Sequence, residues 1–127
     1  SYLVQGRHTK CTFGQKCDDY MVIEHNGDAF CCDFFVDEEY KLGNVMDSDM
    51  GSLFNSSVKR KFARQKGRLG SKCVMCSYSQ ICRGGCPKDR IITGGGVKSV
   101  NYLCESYKKF FDHALGKLAN LGANLIQ

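Results

Sequence analysis

Four thiols stand within fourteen residues of this chain, in the run Cys73-x2-Cys76-x5-Cys82-x3-Cys86, and the run is closed by Pro87, the only proline in the sequence. Sulfur at this density constrains folding more than any apolar pattern around it. The thiols are either joined as disulfides or drawn together as metal ligands, and each outcome pulls the backbone between them into tight loops. Five more cysteines lie outside the run: Cys11, Cys17, Cys31, Cys32 and Cys104. Nine thiols in 127 residues can supply two four-cysteine sites with one left over.

Three readings of these thiols compete. Disulfides suit an even count and a secretory signal. Here the count is odd, and residues 1–10 carry no apolar stretch of the signal-peptide kind. No run approaches the length of a membrane span. A reduced, cytoplasmic setting is therefore expected, where clustered thiols bind metal more often than they pair. Structural zinc is the second reading, because Cys73-x2-Cys76 is a common zinc half-site. Zinc modules usually pair two such knuckles, however. The gaps here run x5, x14, x2, x5, x3 and x17, which suits a bulkier iron–sulfur cluster reached from several loops. The Cys86-Pro87 ending also resembles the ferredoxin-type run, in which the cysteine before proline serves a different cluster from its neighbours. The formal charge of +5 does not argue for nucleic acid. Each four-thiolate [4Fe-4S] cluster would carry about −2, so two would bring the sum near +1.

Between the thiols the pattern predicts one small α+β domain, rich in loops, with a β-hairpin and two or so helices organised around two clusters. Residues 20–36 read as the hairpin, with Asn26-Gly27 as a two-residue type I′ turn. That register sets His25 opposite Asp28 and Met21 opposite Cys32, and points Cys32 and Asp33 to opposite faces of the ribbon. The acidic stretch 37–51 reads as irregular. A helix is expected over about 55–66, capped by Asn55 or Ser56, with Phe54, Val58 and Phe62 on one face. Its other face, Lys59, Arg60, Lys61, Arg64 and Lys66, reads as a solvated surface or one that docks to a further domain. Gly84 and Gly85 read as places where the backbone passes close to a cluster, and Gly94–Gly96 as a loop. A last helix over about 105–121 carries Tyr107, Phe110, Phe111, Ala114, Leu115, Leu118 and Leu121 on one stripe and stops at Gly122.

The cysteine pattern from Cys11 to Cys104, with CTF at 11–13, VIEHNGD at 22–28, CDFFV at 32–36, YKLGNV at 40–45, CRGGCPKDR at 82–90 and NYLCESYKKFFDH at 101–113, resembles the SPASM domain of the anaerobic sulfatase-maturating enzymes, within the radical SAM superfamily. The resemblance covers about residues 8–115. It implies that Cys11, Cys17, Cys32 and Cys86 hold one auxiliary [4Fe-4S] cluster and that Cys73, Cys76, Cys82 and Cys104 hold a second. It implies a parent enzyme that oxidises a serine or cysteine of a sulfatase peptide to Cα-formylglycine: a 5′-deoxyadenosyl radical removes hydrogen from Cβ, Asp33 takes the hydroxyl or thiol proton, and the clusters carry away the second electron. Residues 1–127 lack a C-x3-C-x2-C triad and the radical SAM barrel. The chain is therefore expected to be a C-terminal fragment that does not turn over by itself, whose partners are the radical SAM core of the same polypeptide and the sulfatase peptide, with neither nucleic acid nor membrane. S-adenosylmethionine and a third cluster belong to the absent core. A SPASM domain of another peptide-modifying enzyme and a structural zinc interaction module are the alternatives.

Asp33 admits a plain reading as a solvated acid. Its place directly after a ligand thiol and flanked by Phe34 and Phe35 favours the base, and both the apolar flank and a negative cluster are expected to raise its pKa. Cys31 reads as a buried small hydrophobe, His25 as a surface partner of Asp28, and His113 as solvated.

Overall fold

The computed structural model describes residues 7–124. They form an α+β, loop-rich module that falls into two compact units: Lys16–Gly67, and the chain up to Gln15 together with Arg68 onward.

In the unit Lys16–Gly67, β1 (Val22–Ile23) and β2 (Asp28–Phe30) pair antiparallel, with Val22 opposite Phe30 and Ile23 opposite Ala29. The hairpin is where the sequence places it, but its register is one residue away from the expected one. Glu24 N–H donates to the Asp28 carbonyl at 2.8 Å, and Gly27 N–H reaches back to the Glu24 carbonyl at 2.9 Å. The loop is thus three residues, closed by Gly27 at φ +86°, the geometry in which a type I turn ends in a left-handed glycine. Two contacts select it over the type I′ turn. Asn26 Oδ1 accepts the Asp28 N–H at 3.0 Å, and Asn44 folds over Gly27, where an added Cβ would lie 2.8 Å from its Oδ1. His25 is not the partner of Asp28. That carboxylate takes Lys41 Nζ at 2.9 Å and the amides of Asn26 and Asn44, each at 3.0 Å.

Lys41 and Asn44 arrive on a strand that the acidic composition of 37–51 concealed. β3 (Lys41–Asn44) pairs antiparallel with β2 and completes a sheet of order β1-β2-β3, with a bulge between Ala29 and Phe30. β2 ends at Phe30, so Cys32 and Asp33 lie beyond it in a turn closed by Phe35 N–H on the Cys32 carbonyl at 3.0 Å. They do not alternate across a ribbon.

The helix predicted over 55–66 is present as Ser57–Gln65, and a short helix that the sequence did not announce precedes it. α1 (Met50–Phe54) is capped by Asp49, and α2 (Ser57–Gln65) by Ser56, whose Oγ accepts the Lys59 N–H at 3.2 Å. Leu53, Phe62 and Ala63 from these helices join Ala29, Phe30 and Phe35 in the core. Phe35, Tyr40 and Phe62 form an edge-to-face triangle with centroids 4.9–5.5 Å apart. The basic face is not uniformly solvated: Lys59 and Lys66 are 3% and 1% exposed. Their long stems cover apolar surface, and for Lys59 the ammonium finds carbonyls inside.

In the other unit, the cysteine run folds into three short helices: α3 (Ser71–Val74), α4 (Ser79–Cys82) and α5 (Pro87–Ile91). The last begins with Pro87 at its first turn, where a missing N–H costs nothing. α6 spans Cys104–Asn124. It runs past Gly122, which is buried within it and serves as a small residue there instead of a C-terminal stop. Of the predicted apolar stripe Phe111 is buried, whereas Phe110, Leu118 and Leu121 are exposed. Phe13 and Tyr78 pack against Phe111 at 6.3 and 5.3 Å between centroids. Arg90 is fully buried, its guanidinium on the carbonyls of Val97 at 3.0 Å and Arg68 at 3.4 Å. Among the described residues no helix is long and apolar enough to cross a membrane.

Candidate metal centre

Cys73, Cys76, Cys82 and Cys104 line one cavity of about 450 Å³. They come from α3, the turn after it, the end of α4 and the start of α6. Short hydrogen-bonded turns present the first three. Cys73 N–H bonds Gly70 O at 3.0 Å, Cys76 N–H bonds Cys73 O at 3.3 Å, and Cys82 N–H bonds Tyr78 O at 2.8 Å. Behind Cys82 the chain reverses through three left-handed residues, Arg83, Gly84 and Gly85, at φ +49°, +74° and +65°. This reversal aims the Gly84 N–H at the Cys82 sulfur. Asn101, 3% exposed, joins that loop to α6: its Nδ2 donates to Gly84 O at 3.3 Å and its Oδ1 accepts Leu103 N–H at 2.8 Å. One buried amide thus ties the loop of Cys82 to the helix of Cys104.

Burial pushes the Cys82 thiol up, and the neighbouring Cys104, Cys73 and Cys76 push it further in the same direction. Burial likewise raises Cys104, against the pull of the Lys108 ammonium. A group of thiols that repel one another as thiolates calls for a cation among them. The donor set is all sulfur, and the space it rings is larger than one ion needs, which fits an iron–sulfur cluster. Among the described residues no three His, Cys, Asp or Glu side chains converge as they would on a single metal ion. None of the nine cysteines is in a disulfide.

The other expected ligands divide between the units. Cys11 opens a 3-10 turn, Cys11–Phe13, and Cys86 caps α5 ahead of Pro87. Cys17, whose N–H bonds Ala63 O at 3.3 Å, and Cys32 belong to Lys16–Gly67. Cys31 is buried at 1% exposure, and burial lifts its thiol to about 11. Its environment is that of the small hydrophobe expected from sequence.

Asp33 is exposed, and the apolar neighbours expected to raise its pKa do not enclose it. Phe34 is exposed, and Phe35 is buried against Tyr40 and Phe62. The carboxyl is held below the usual carboxylate range, not raised, by the Tyr20 hydroxyl and then by the Cys32 thiol. Tyr20 Oη donates to Asp33 Oδ1 at 2.8 Å and lies 3.4 Å from Cys32 Sγ. The same bonds, that to Cys32 first, push the Tyr20 phenol well above its ordinary value. Sequence reasoning passed over Tyr20, because no motif links it to residues twelve and thirteen positions away.

A module built on thiols from scattered turns, with few regular elements, is the kind of domain that houses auxiliary iron–sulfur clusters. The SPASM family, described as an iron-sulfur cluster-binding domain, matches residues 11–77, and the chain belongs to it. Its relatives include the cysteine-type anaerobic sulfatase-maturating enzyme of Clostridium perfringens, 30% identical over 97% of this chain and 33% of the relative. The serine-type anaerobic sulfatase-maturating enzyme of Bacteroides thetaiotaomicron is 37% identical over 81% of this chain and 25% of its own length. Among solved structures, native anSMEcpe with bound AdoMet and Cp18Cys peptide superposes with a TM-score of 0.87 at 30% identity, covering 98% of this chain and 34% of that one. The chain spans between a quarter and about a third of the length of these relatives.

Proposed function

We propose that this chain is the C-terminal auxiliary-cluster domain of a cytoplasmic radical SAM enzyme that oxidises a sulfatase serine or cysteine to Cα-formylglycine. The observation that carries the reading is the cavity ringed by Cys73, Cys76, Cys82 and Cys104, which we assign to one [4Fe-4S] cluster. Cys11, Cys17, Cys32 and Cys86 are assigned to a second. The names of the relatives support the substrate. When bound, the clusters supply a one-electron route away from the substrate. Four thiolates from this chain would hold each cluster, and the chemistry it would supply is outer-sphere electron transfer.

Asp33 is the assigned base. It is exposed, ionised and next to a ligand thiol, so it can take the hydroxyl or thiol proton while Cβ gives up a hydrogen atom in the catalytic domain. Proton, hydrogen atom and one electron together make up the two-electron oxidation; from serine this gives the aldehyde directly, and from cysteine a thioaldehyde that water hydrolyses with release of hydrogen sulfide. The chain's own contribution is the base and the thiolate cradle.

Iron and acid-labile sulfide on anaerobically reconstituted protein test the reading. About eight of each per chain are expected, falling to about four in Cys82→Ala and in Cys86→Ala. One or two zinc without sulfide would replace it with a structural zinc module. In the full-length enzyme, Asp33→Asn should abolish formylglycine formation with iron unchanged. Loss of iron in that variant would make Asp33 structural.

A further inference from the structure

Tyr20 and Lys59 belong to none of the motifs that point to clusters, yet both converge where a thiol assigned to a cluster adjoins the assigned base. Lys59 Nζ donates to the carbonyl of Tyr20 and, at 2.9 Å, to that of Cys31. It therefore ties the main chain of Tyr20 to the residue just before Cys32. The rings of Tyr20, Phe54 and Phe62 stand 6.0, 5.4 and 5.7 Å from the ammonium, which offsets part of the cost of burying its charge. With its backbone held there, Tyr20 reaches Asp33 Oδ1 at 2.8 Å and Cys32 Sγ at 3.4 Å.

The thiol of Cys32 donates to Asp33 Oδ1 at 3.3 Å. A cysteine that ligates iron has no proton to give, so that bond is lost when a cluster is held. A thiolate and a carboxylate then lie side by side, and the one proton of the Tyr20 hydroxyl is within reach of both and shared between them. Charge-assisted hydrogen bonds of this kind are about twice as strong as neutral ones and fix direction as well as distance.

We infer that Tyr20, anchored by Lys59, is a positioning residue whose single hydroxyl proton, shared between the two groups, orients the Asp33 carboxylate toward substrate and faces the Cys32 thiolate. The inference rests on the roles proposed above for Cys32 and Asp33.

Tyr20→Phe in the anaerobically reconstituted full-length enzyme removes one hydroxyl and tests it. Iron and sulfide should match wild type. The kcat should fall about tenfold at unchanged KM for the sulfatase peptide, as for loss of one hydrogen bond to a charged group. The midpoint potential of the cluster held by Cys32 should move lower, because a hydrogen bond to a ligand sulfur is gone. Wild-type kcat and potential would overturn the inference, and so would a fall in kcat that only tracks lost iron. Lys59→Met should reproduce the defect, and Lys59→Met with Tyr20→Phe should be no worse than either alone. Additive losses would remove Lys59 from the device. An Asp33→Asn enzyme that turns over normally would sink the proposed function instead, whereas an inactive Asp33→Asn beside a normal Tyr20→Phe would sink this inference alone.

Discussion

Gly85→Ala should empty the cavity ringed by Cys73, Cys76, Cys82 and Cys104 without touching a thiol. Gly85 has φ +65°, and a Cβ there would lie 2.5 Å from Asn101 Nδ2 and 3.2 Å from Tyr107 Cε2. The left-handed backbone alone costs an alanine about 1–2 kcal/mol. Asn101 has to move as well, and it is buried and bonded to both Gly84 O and Leu103 N–H. Breaking that buried amide from its partners adds about 1–3 kcal/mol, for a total of about 2–5 kcal/mol. The strain falls on the link between the Cys82 loop and the first turn of α6, so Cys104 and Tyr107 shift with it. Gly94→Ala is the matched control: φ is +88°, but nothing lies within 4 Å of its added Cβ, so only the backbone cost applies. The assay is iron and sulfide per chain after anaerobic reconstitution, with urea unfolding of both variants. Gly85→Ala should retain about half the iron and unfold earlier than Gly94→Ala. If the two variants load iron equally and unfold together, the packing argument around Asn101 is wrong.

Three further outcomes follow from the same geometry. Phe62→Ala, which removes one side of the triangle with Phe35 and Tyr40, should destabilise the Lys16–Gly67 unit by about 3–5 kcal/mol, read by denaturant midpoint. Lys41 first, then Asn44, hold the Asp28 carboxyl below its ordinary value. Its stabilisation is therefore full above the unfolded pKa near 3.9 and is lost as pH falls through the lower folded value. Amide exchange at Gly27 and Val45 should accelerate in that acid window, and an Asp28→Asn variant that keeps the acceleration would refute the assignment. Strong chelation of the iron-loaded chain should loosen residues 67–104 before the hairpin, because helices of four or five residues do not hold themselves without ligation. Exchange in the opposite order would show that the cavity is preformed by packing.

What the sequence determined by itself was the chemistry of short range. Thiol number and spacing pointed to clusters, and Asn26-Gly27 marked a reversal of the chain. Ser56 announced the start of α2, and the aromatic and leucine spacing after Cys104 announced α6. Each signal is carried by residues a few positions apart, so no knowledge of the rest of the chain is needed. Tertiary structure decided the rest. The hairpin register depends on Lys41 and Asn44, which arrive from β3 and out-compete the local turn preference. Lys59 and Lys66 look like solvent-facing charges until the segments that bury them are in place. Tyr20 carries no motif and Asn101 opens one that says nothing of its role, and the importance of both comes from partners that only folding brings within bonding distance. The same holds for Asp33. Its apolar neighbours in sequence imply a raised pKa, but its neighbours in space are a hydroxyl and a thiol, and a carboxylate that accepts hydrogen bonds at an exposed site stays ionised.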